Sequence, residues 1–221
     1  LTNQYQPNTY IAGGDITITG SGFFQRDGLL GDGIDARGIV GNGSSVFLDS
    51  RNNIELIGSF IKSSSDTSKS GDILLIAAKD IILKPDNSSI FGSSLDTSPD
   101  IGHAGNMTLN AGGNILMNDS LLTSGVSGFL LTENGYLSGS GNGGDIAINT
   151  LKNIIIDDTK ISSSSNKDNG GDVNLNAVED IKIENDSSIR VVSAREGNIK
   201  IKGRDIDILS SKLTAGINPR F

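Results

Sequence analysis

Hydrophobic residues recur along the chain as apolar-x-apolar pairs: Val46/Leu48 then Ile54/Leu56, Ile73/Leu75 then Ile81/Leu83, Met107/Leu109 then Ile115/Met117, Ile146/Ile148 then Ile154/Ile156, and Val173/Leu175 then Ile181/Ile183. A period of two puts both members of a pair on one face of a short strand and turns the intervening residue to the other face. The second pair starts 8 residues after the first in these five units, and 7 after it in the unit Ile199/Ile201 with Ile206/Ile208. A third apolar position completes each unit, read as Ile61, Ile90, Leu122, Ile161, Ile189 and Leu213, and Ile16/Ile18 opens a less regular first unit. Successive units are displaced by 27, 34, 39, 27 and 26 residues. The extra residues are expected at one corner, in the Ser-, Gly- and Asp-rich stretches 93–103 and 125–143.

A unit with three short strands and one apolar face cannot bury that face alone, so the repeats must stack strand upon strand. The prediction is an all-β protein, a right-handed parallel β-helix (β-solenoid) of about seven coils with three short strands per coil, the hand following from the usual sense of strand crossovers. At the ordinary spacing between paired strands, seven coils give a rod on the order of 30 to 35 Å long. Residues 1–12 are expected to be an N-terminal extension or linker, 13–216 a single β-helix, and 217–221 a C-terminal tail. Ile81, Ile115 and Ile154 should then stand in one column.

Composition agrees. Gly, Ser and Ile each occur 29 times among 221 residues, and Asn and Asp 21 times each, an alphabet suited to strands and tight turns and poor for helices. Asp72, Asn106, Asp145, Asp172 and Asn198 recur at one corner, and Asn53, Asp80, Asn114, Asn153, Asp180 and Asp205 at another. These are expected to bond local backbone groups, beside glycines that supply positive φ. Asp145 over Asp172 would repel by about 1 kcal/mol in water and by a few at lower dielectric, a cost that solvent, interleaved Asn or a bound cation would relieve.

There are 18 basic and 26 acidic residues, a net charge of −8, which leaves nucleic-acid binding without its electrostatic driving force. The longest apolar run, Ile73 to Ala78, is far short of the ~20 residues a membrane helix needs. No cysteine is present, which removes disulfides, thiol nucleophiles and zinc–thiolate sites, and the single histidine cannot build a histidine cluster.

Candidate chemistry is sparse. Asp157-Asp158 offers two carboxylates, but strand neighbours face opposite sides and make a poor acid/base pair. His103 sits in a Gly-, Asp- and Pro-rich stretch with no evident partners. Gly141-Asn142-Gly143-Gly144-Asp145 has the composition of a calcium-solenoid repeat without its spacing or tandem copies. The serine runs 63–65 and 162–165 read as turn formers that could also line corners able to hydrogen-bond sugars. Thr17/Thr19 has the Thr-x-Thr form of an ice-binding array, but no later coil repeats it. No catalytic, cofactor-binding or metal-binding residue is assigned, and no cofactor is expected.

The repeat, with its Ser-rich corners and the stretch Gly31-Asp32-Gly33-Ile34-Asp35-Ala36-Arg37-Gly38-Ile39-Val40, resembles the repeat region of filamentous-haemagglutinin-like exoproteins of the two-partner-secretion type, particularly the large cyanobacterial ones. The resemblance covers roughly Gly13 to Ala215 and lacks the Asn-Pro-Asn-Gly type signature of that family's secretion domain. It implies an exported bacterial protein at the cell surface or outside the cell, non-enzymatic, structural or adhesive, as a segment or subunit of a filament. No amphipathic capping helix is evident beside the coils near Ile16 and Leu213, so the expected partners are a second copy stacked head to tail on the solenoid ends or flanking parts of a longer chain, with surface polysaccharide as a further one. The alternative is a polysaccharide-binding or polysaccharide-cleaving β-helix module, with the 125–143 insertion walling a groove.

Overall fold

The computed structural model describes residues 9–19, 23–25, 28–30, 33–38, 41–65, 68–86, 92–99, 101–126, 129–132, 135–138, 140–165 and 167–217. Three seven-stranded sheets run along one axis. The first holds Thr9–Gly13, Val46–Ser50, Ile73–Ala77, Met107–Ala111, Ile146–Thr150, Val173–Ala177 and Ile199–Lys202. The second holds Ile16–Thr19, Ile54–Ile57, Ile81–Lys84, Ile115–Asn118, Ile154–Asp157, Ile181–Glu184 and Ile206–Ile208. The third holds Gly33–Asp35, Phe60–Lys62, Ser94–Asp96, Leu121–Thr123, Lys160–Ser164, Ser188–Ser193 and Lys212–Ile217. Strands in these sheets pair in parallel with their counterparts one coil away, so the chain climbs seven coils with three strands in each. It is a parallel β-helix, with no helix among the described residues.

The register is the one the periodicity requires. Ile81 pairs with Ile115 and Ile115 with Ile154, and all three are completely buried in the bore. Ile73, Met107, Ile146 and Val173 form a matching column in the first sheet, and Ile61, Leu95, Leu122, Ile161 and Ile189 one in the third. Each such aliphatic contributes on the order of 1.5 to 3 kcal/mol on burial, and stiff β-branched Ile loses little rotamer freedom in a narrow interior.

Four expectations need correction. The first coil already includes Thr9, inside the stretch read as an extension, because Thr9, Tyr10 and Ile11 pair with Val46, Phe47 and Leu48. Leu95, not Ile90, fills the third-strand column of its coil, paired with Ile61 on one side and Leu122 on the other, while Ile90 lies outside the described residues. The extra residues of that coil therefore lie between Lys84 and Ser94, not in 93–103, and the insertions do not share a corner. One antiparallel hairpin, Phe129–Thr132 with Gly135–Ser138, sits between the third and first sheets, and another, Phe23–Gln25 with Gly28–Leu30, between the second and third.

The fourth correction concerns glycine. Gly71, Gly105, Gly144 and Gly171 stack at the corner leading into the first sheet, and none of them has positive φ. A Cβ on any of them would fall inside 3.0 Å of the backbone one coil away, so close approach is what excludes a side chain. Positive φ at that corner falls a little earlier in the chain, at Gly41, Gly102 and Gly141 with φ of 105°, 106° and 146°, and left-handed backbone recurs between the second and third sheets, at Gly58, Asp119, Asp158, Asn185, Asp186 and Ser210 with φ between 41° and 61°. Asn and Asp tolerate that conformation better than other residues with side chains.

Candidate functional site

The polar residues that recur from coil to coil bond mainly along the axis rather than within their own turns. At the corner before the first sheet, the Asp72 carboxylate accepts the Asn106 backbone N–H at 2.8 Å, the Asn106 amide oxygen that of Asp145 at 3.0 Å, Asp145 that of Asp172 at 2.8 Å, and Asp172 that of Asn198 at 2.9 Å. A second ladder passes from Asp15 through Asn53, Asp80, Asn114 and Asn153 to the backbone N–H of Asp180. The expected local turn bonds are thus bonds to the next coil. They also relieve the stacked carboxylates, because each takes a backbone donor.

The upper end of the first ladder is strengthened by charge. Partial burial pushes the Asp172 carboxyl up, but side-chain hydrogen bonds from Asn198 at 2.9 Å and Lys200 at 3.2 Å, a backbone bond and the Lys200 charge outweigh it and hold the group below the ordinary aspartate value. Among the described residues no group of three His, Asp or Glu side chains is placed to hold a metal ion.

Two further ladders are built from buried hydroxyls, and the sequence reading missed both as structure. Ser59, Ser93, Ser120, Thr159 and Ser187 are buried at the corner before the third sheet. Thr159 Oγ1 donates to Asp157 O and accepts the Ser120 N–H, and Ser187 Oγ donates to Glu184 O and accepts the Thr159 N–H. At the C-terminal end of the third-sheet strands the buried Ser63, Thr97, Ser124 and Ser163 donate to the carbonyls of Ser44, Gly105, Gly105 and Gly144. Ser63, Ser64, Ser65, Ser163 and Ser165 are buried, and Ser65 and Ser165 donate to Gly41 O and Gly141 O at 2.6 Å. These hydroxyls are not available to a sugar. A usable signal was present: Ser or Thr stands two residues before Ile61, Leu95, Leu122, Ile161 and Ile189.

The remaining candidates are dispersed. Asp157 accepts amide donors from Asn118 at 3.0 Å and Asn185 at 2.7 Å, whereas Asp158 lies in the left-handed corner, so the pair is not a catalytic dyad. His103 is exposed and its Nδ1 accepts the Asn142 backbone N–H at 3.1 Å. In the glycine-rich stretch, Gly141 N–H donates to Asp168 at 2.9 Å and Gly144 belongs to the stacked glycine column. A shallow depression on the first sheet is lined by Ile76, Asn110, Asn149, Leu151, Asn176 and Val178, with Asn149 Nδ2 donating to Asn110 Oδ1 at 3.0 Å. None of its lining residues is ionisable, so it supplies no acid or base.

The Asp119 carboxyl is pushed upward, first by burial and then by the Asp158 charge, with Lys160 opposing. A carboxyl raised in the folded state destabilises the fold above that raised pKa and ceases to do so once protonated. Asp119→Asn keeps a side chain that tolerates φ 44° and removes the charge. It is expected to stabilise the protein slightly at neutral pH, by under ~0.5 kcal/mol because solvent screens the site. The gain should vanish as pH falls through the carboxylate range. Urea melts of both proteins at pH 7 and pH 3 check this, and an equal difference at both pH values would refute it.

The fold and the ladders together define a parallel β-helical solenoid whose repeated polar groups are committed to bonding between coils. No family model, no curated protein and no solved structure matches the chain.

Proposed function

We propose that this chain is a non-enzymatic structural shaft, a segment or subunit of an extracellular or cell-surface filament. The observation that supports the reading most directly is the axial bonding: two Asx ladders and two hydroxyl ladders reinforce three continuous sheets, so successive coils are tied at their corners as well as along their strands. A rod built this way resists bending and local opening, and its repeating side chains are used to hold one coil on the next. The resemblance of the repeat to filamentous-haemagglutinin-like exoproteins points the same way and carries with it export and an adhesive or structural role.

The rival reading, a polysaccharide-binding or polysaccharide-cleaving module, would use the depression beside Asn110, Asn149 and Asn176, whose amides repeat at the coil spacing. Immunogold labelling of intact cells that express the native gene separates the two, combined with a reducing-sugar assay of the purified protein on acidic polysaccharides. Gold along surface fibres with no new reducing ends is the expected outcome. Gold confined to the cell interior, or depolymerised polysaccharide, overturns the shaft reading.

A further inference from the structure

Three cations on the outer face of the third sheet are left without a carboxylate. Lys160, Arg190 and Lys212 are exposed on the successive strands Lys160–Ser164, Ser188–Ser193 and Lys212–Ile217, and none of them forms an ion pair among the described residues. Elsewhere on the sheets Lys62 faces Asp96, Lys84 faces Glu55, Lys182 faces Glu184 and Lys200 faces Asp172, at 2.5 to 3.5 Å.

The register sets these cations in a chequer with hydroxyls. Lys160 pairs with Ser188 and Ser188 with Lys212 in one outward column, and Ser162 pairs with Arg190 and Arg190 with Thr214 in the next. The side chains of Ser162, Ser188 and Thr214 are half-buried and make no hydrogen bond among the described residues, unlike their enclosed neighbours Ser163 and Ser187. A cation thus falls at every coil step, about 4.8 Å, on alternate sides of a line along the axis. The substituents of an extended polysaccharide alternate in the same way when successive sugars are turned over. All six positions point away from the bore, and a further coil stacked on Lys212–Ile217 would leave them so.

The surroundings restrict what can lie there. These three strands carry no acidic residue, but Asp119, Asp158 and Asp186 stand at the corner before this part of the sheet and Glu196 at the corner after it, on a chain of net charge −8. Lys160 opposes the upward shift of the Asp119 carboxyl through its charge, without forming an ion pair with it. A nucleic-acid duplex or a bilayer, wider than the strip, would meet those carboxylates, and anionic bilayers are recognised by clusters of about four to eight cations. A single-stranded nucleic acid is held by aromatic side chains that stack on its bases, and no outward residue of the three strands is aromatic. One acidic polysaccharide chain avoids both difficulties, its carboxylates taking the cations and its hydroxyls exchanging hydrogen bonds with Ser162, Ser188 and Thr214.

We propose that this face holds one chain of a linear acidic polysaccharide, laid along the solenoid axis across Lys160, Arg190 and Lys212. With no carboxylate on these strands there is no acid/base pair to cut the polymer, so it is held intact. The site lies on a different sheet from the depression beside Asn149. It deepens the adhesive side of the shaft reading and rests on that reading for its place outside the cell.

Calorimetric titration with sodium polygalacturonate, a polymer with one carboxylate on each sugar, tests this in low-salt buffer. The parent is expected to bind it and to lose affinity as salt rises, as a contact between exposed charges must, while neutral dextran is not bound. The triple variant Lys160→Gln, Arg190→Gln, Lys212→Gln should bind at least tenfold more weakly with an unchanged circular-dichroism spectrum. Lys69→Gln with Lys79→Gln and Lys202→Gln removes the same charge from exposed positions off this face and should bind as the parent does. No binding by the parent, undiminished affinity in the first triple variant, equal losses in the two, or single-stranded poly(U) bound as tightly as polygalacturonate overturns the proposal. Cell labelling judges the shaft and the titration judges the face, so each can fail without the other.

Discussion

Gly144→Ala should destabilise the solenoid by about 3 kcal/mol or more, at or above the upper end of ordinary overpacking. The alanine Cβ would fall inside 3.0 Å of both Gly105 O and Ser124 Oγ. The serine cannot swing away without cost, because its hydroxyl is buried and donates to the same Gly105 carbonyl at 2.7 Å. Relief requires adjacent coils to separate at a corner where Gly144 N–H also reaches Ser124 O and Ser163 Oγ donates to Gly144 O. For a chain of this size ~3 kcal/mol lowers the thermal midpoint by roughly 6 to 12 °C. Solenoid stability is a sum of local and nearest-neighbour terms, so lost hydrogen-exchange protection should centre on the coils holding Gly105, Gly144 and Gly171 and spare the distant ones. Gly216→Ala, where nothing lies within 4 Å of the added carbon, is the control and should change stability by less than ~0.5 kcal/mol. Similar melting curves for the two variants would refute the close-approach account of the glycine column.

A comparably large effect is expected from Ile154→Ala, set against Ile155→Ala. The two residues are the same type and adjacent in one strand, but Ile154 is completely buried between Ile115 and Ile181, whereas Ile155 points outward, half-buried between Leu116 and Lys182. Truncating Ile154 removes bore-filling carbons and leaves a cavity, a loss of about 2 to 5 kcal/mol. Truncating Ile155 should cost about 1 kcal/mol or less, because the lost contact area is partly solvated already. Urea denaturation followed by circular dichroism measures both. A larger loss at Ile155 than at Ile154 would mean that the strand is shifted by one residue, since such a slip exchanges its two faces.

The reason so much of the fold was legible is visible in these same residues. An Ile-x-Ile pair has only one way to put both side chains in a dry interior, and a fixed offset of 8 to the next pair leaves room for one tight corner, so the repeat specifies strands, faces and stacking together. The third strand was harder. Ser88-Ser89-Ile90 and Ser93-Ser94-Leu95 present the same local pattern, and nothing within either triplet distinguishes them. What distinguishes them is the next corner. Leu95 stands 12 residues before Met107, as Ile61 does before Ile73 and Ile161 before Val173, and this length lets Thr97 Oγ1 reach Gly105 O at 2.8 Å.

The candidate site was less legible, because a polar residue in a repeat reads as a turn former whether its side chain bonds its own turn or the coil above. Asp145 and Ser163 look alike in that respect. Their roles separate only once the coils are stacked, when the Asp145 carboxylate meets the Asp172 N–H and the Ser163 hydroxyl is enclosed against Gly144 O.

From its sequence alone, this protein was committed to short parallel strands wound into a three-sided coil with an aliphatic bore, since period-two patterning and repeat spacing are properties of the chain itself. Tertiary structure alone decided where the insertions leave the coil, why Gly71, Gly105, Gly144 and Gly171 admit no side chain, and which hydroxyls are buried. Those outcomes depend on distances between residues up to 39 positions apart, which are fixed only after one coil has settled on another.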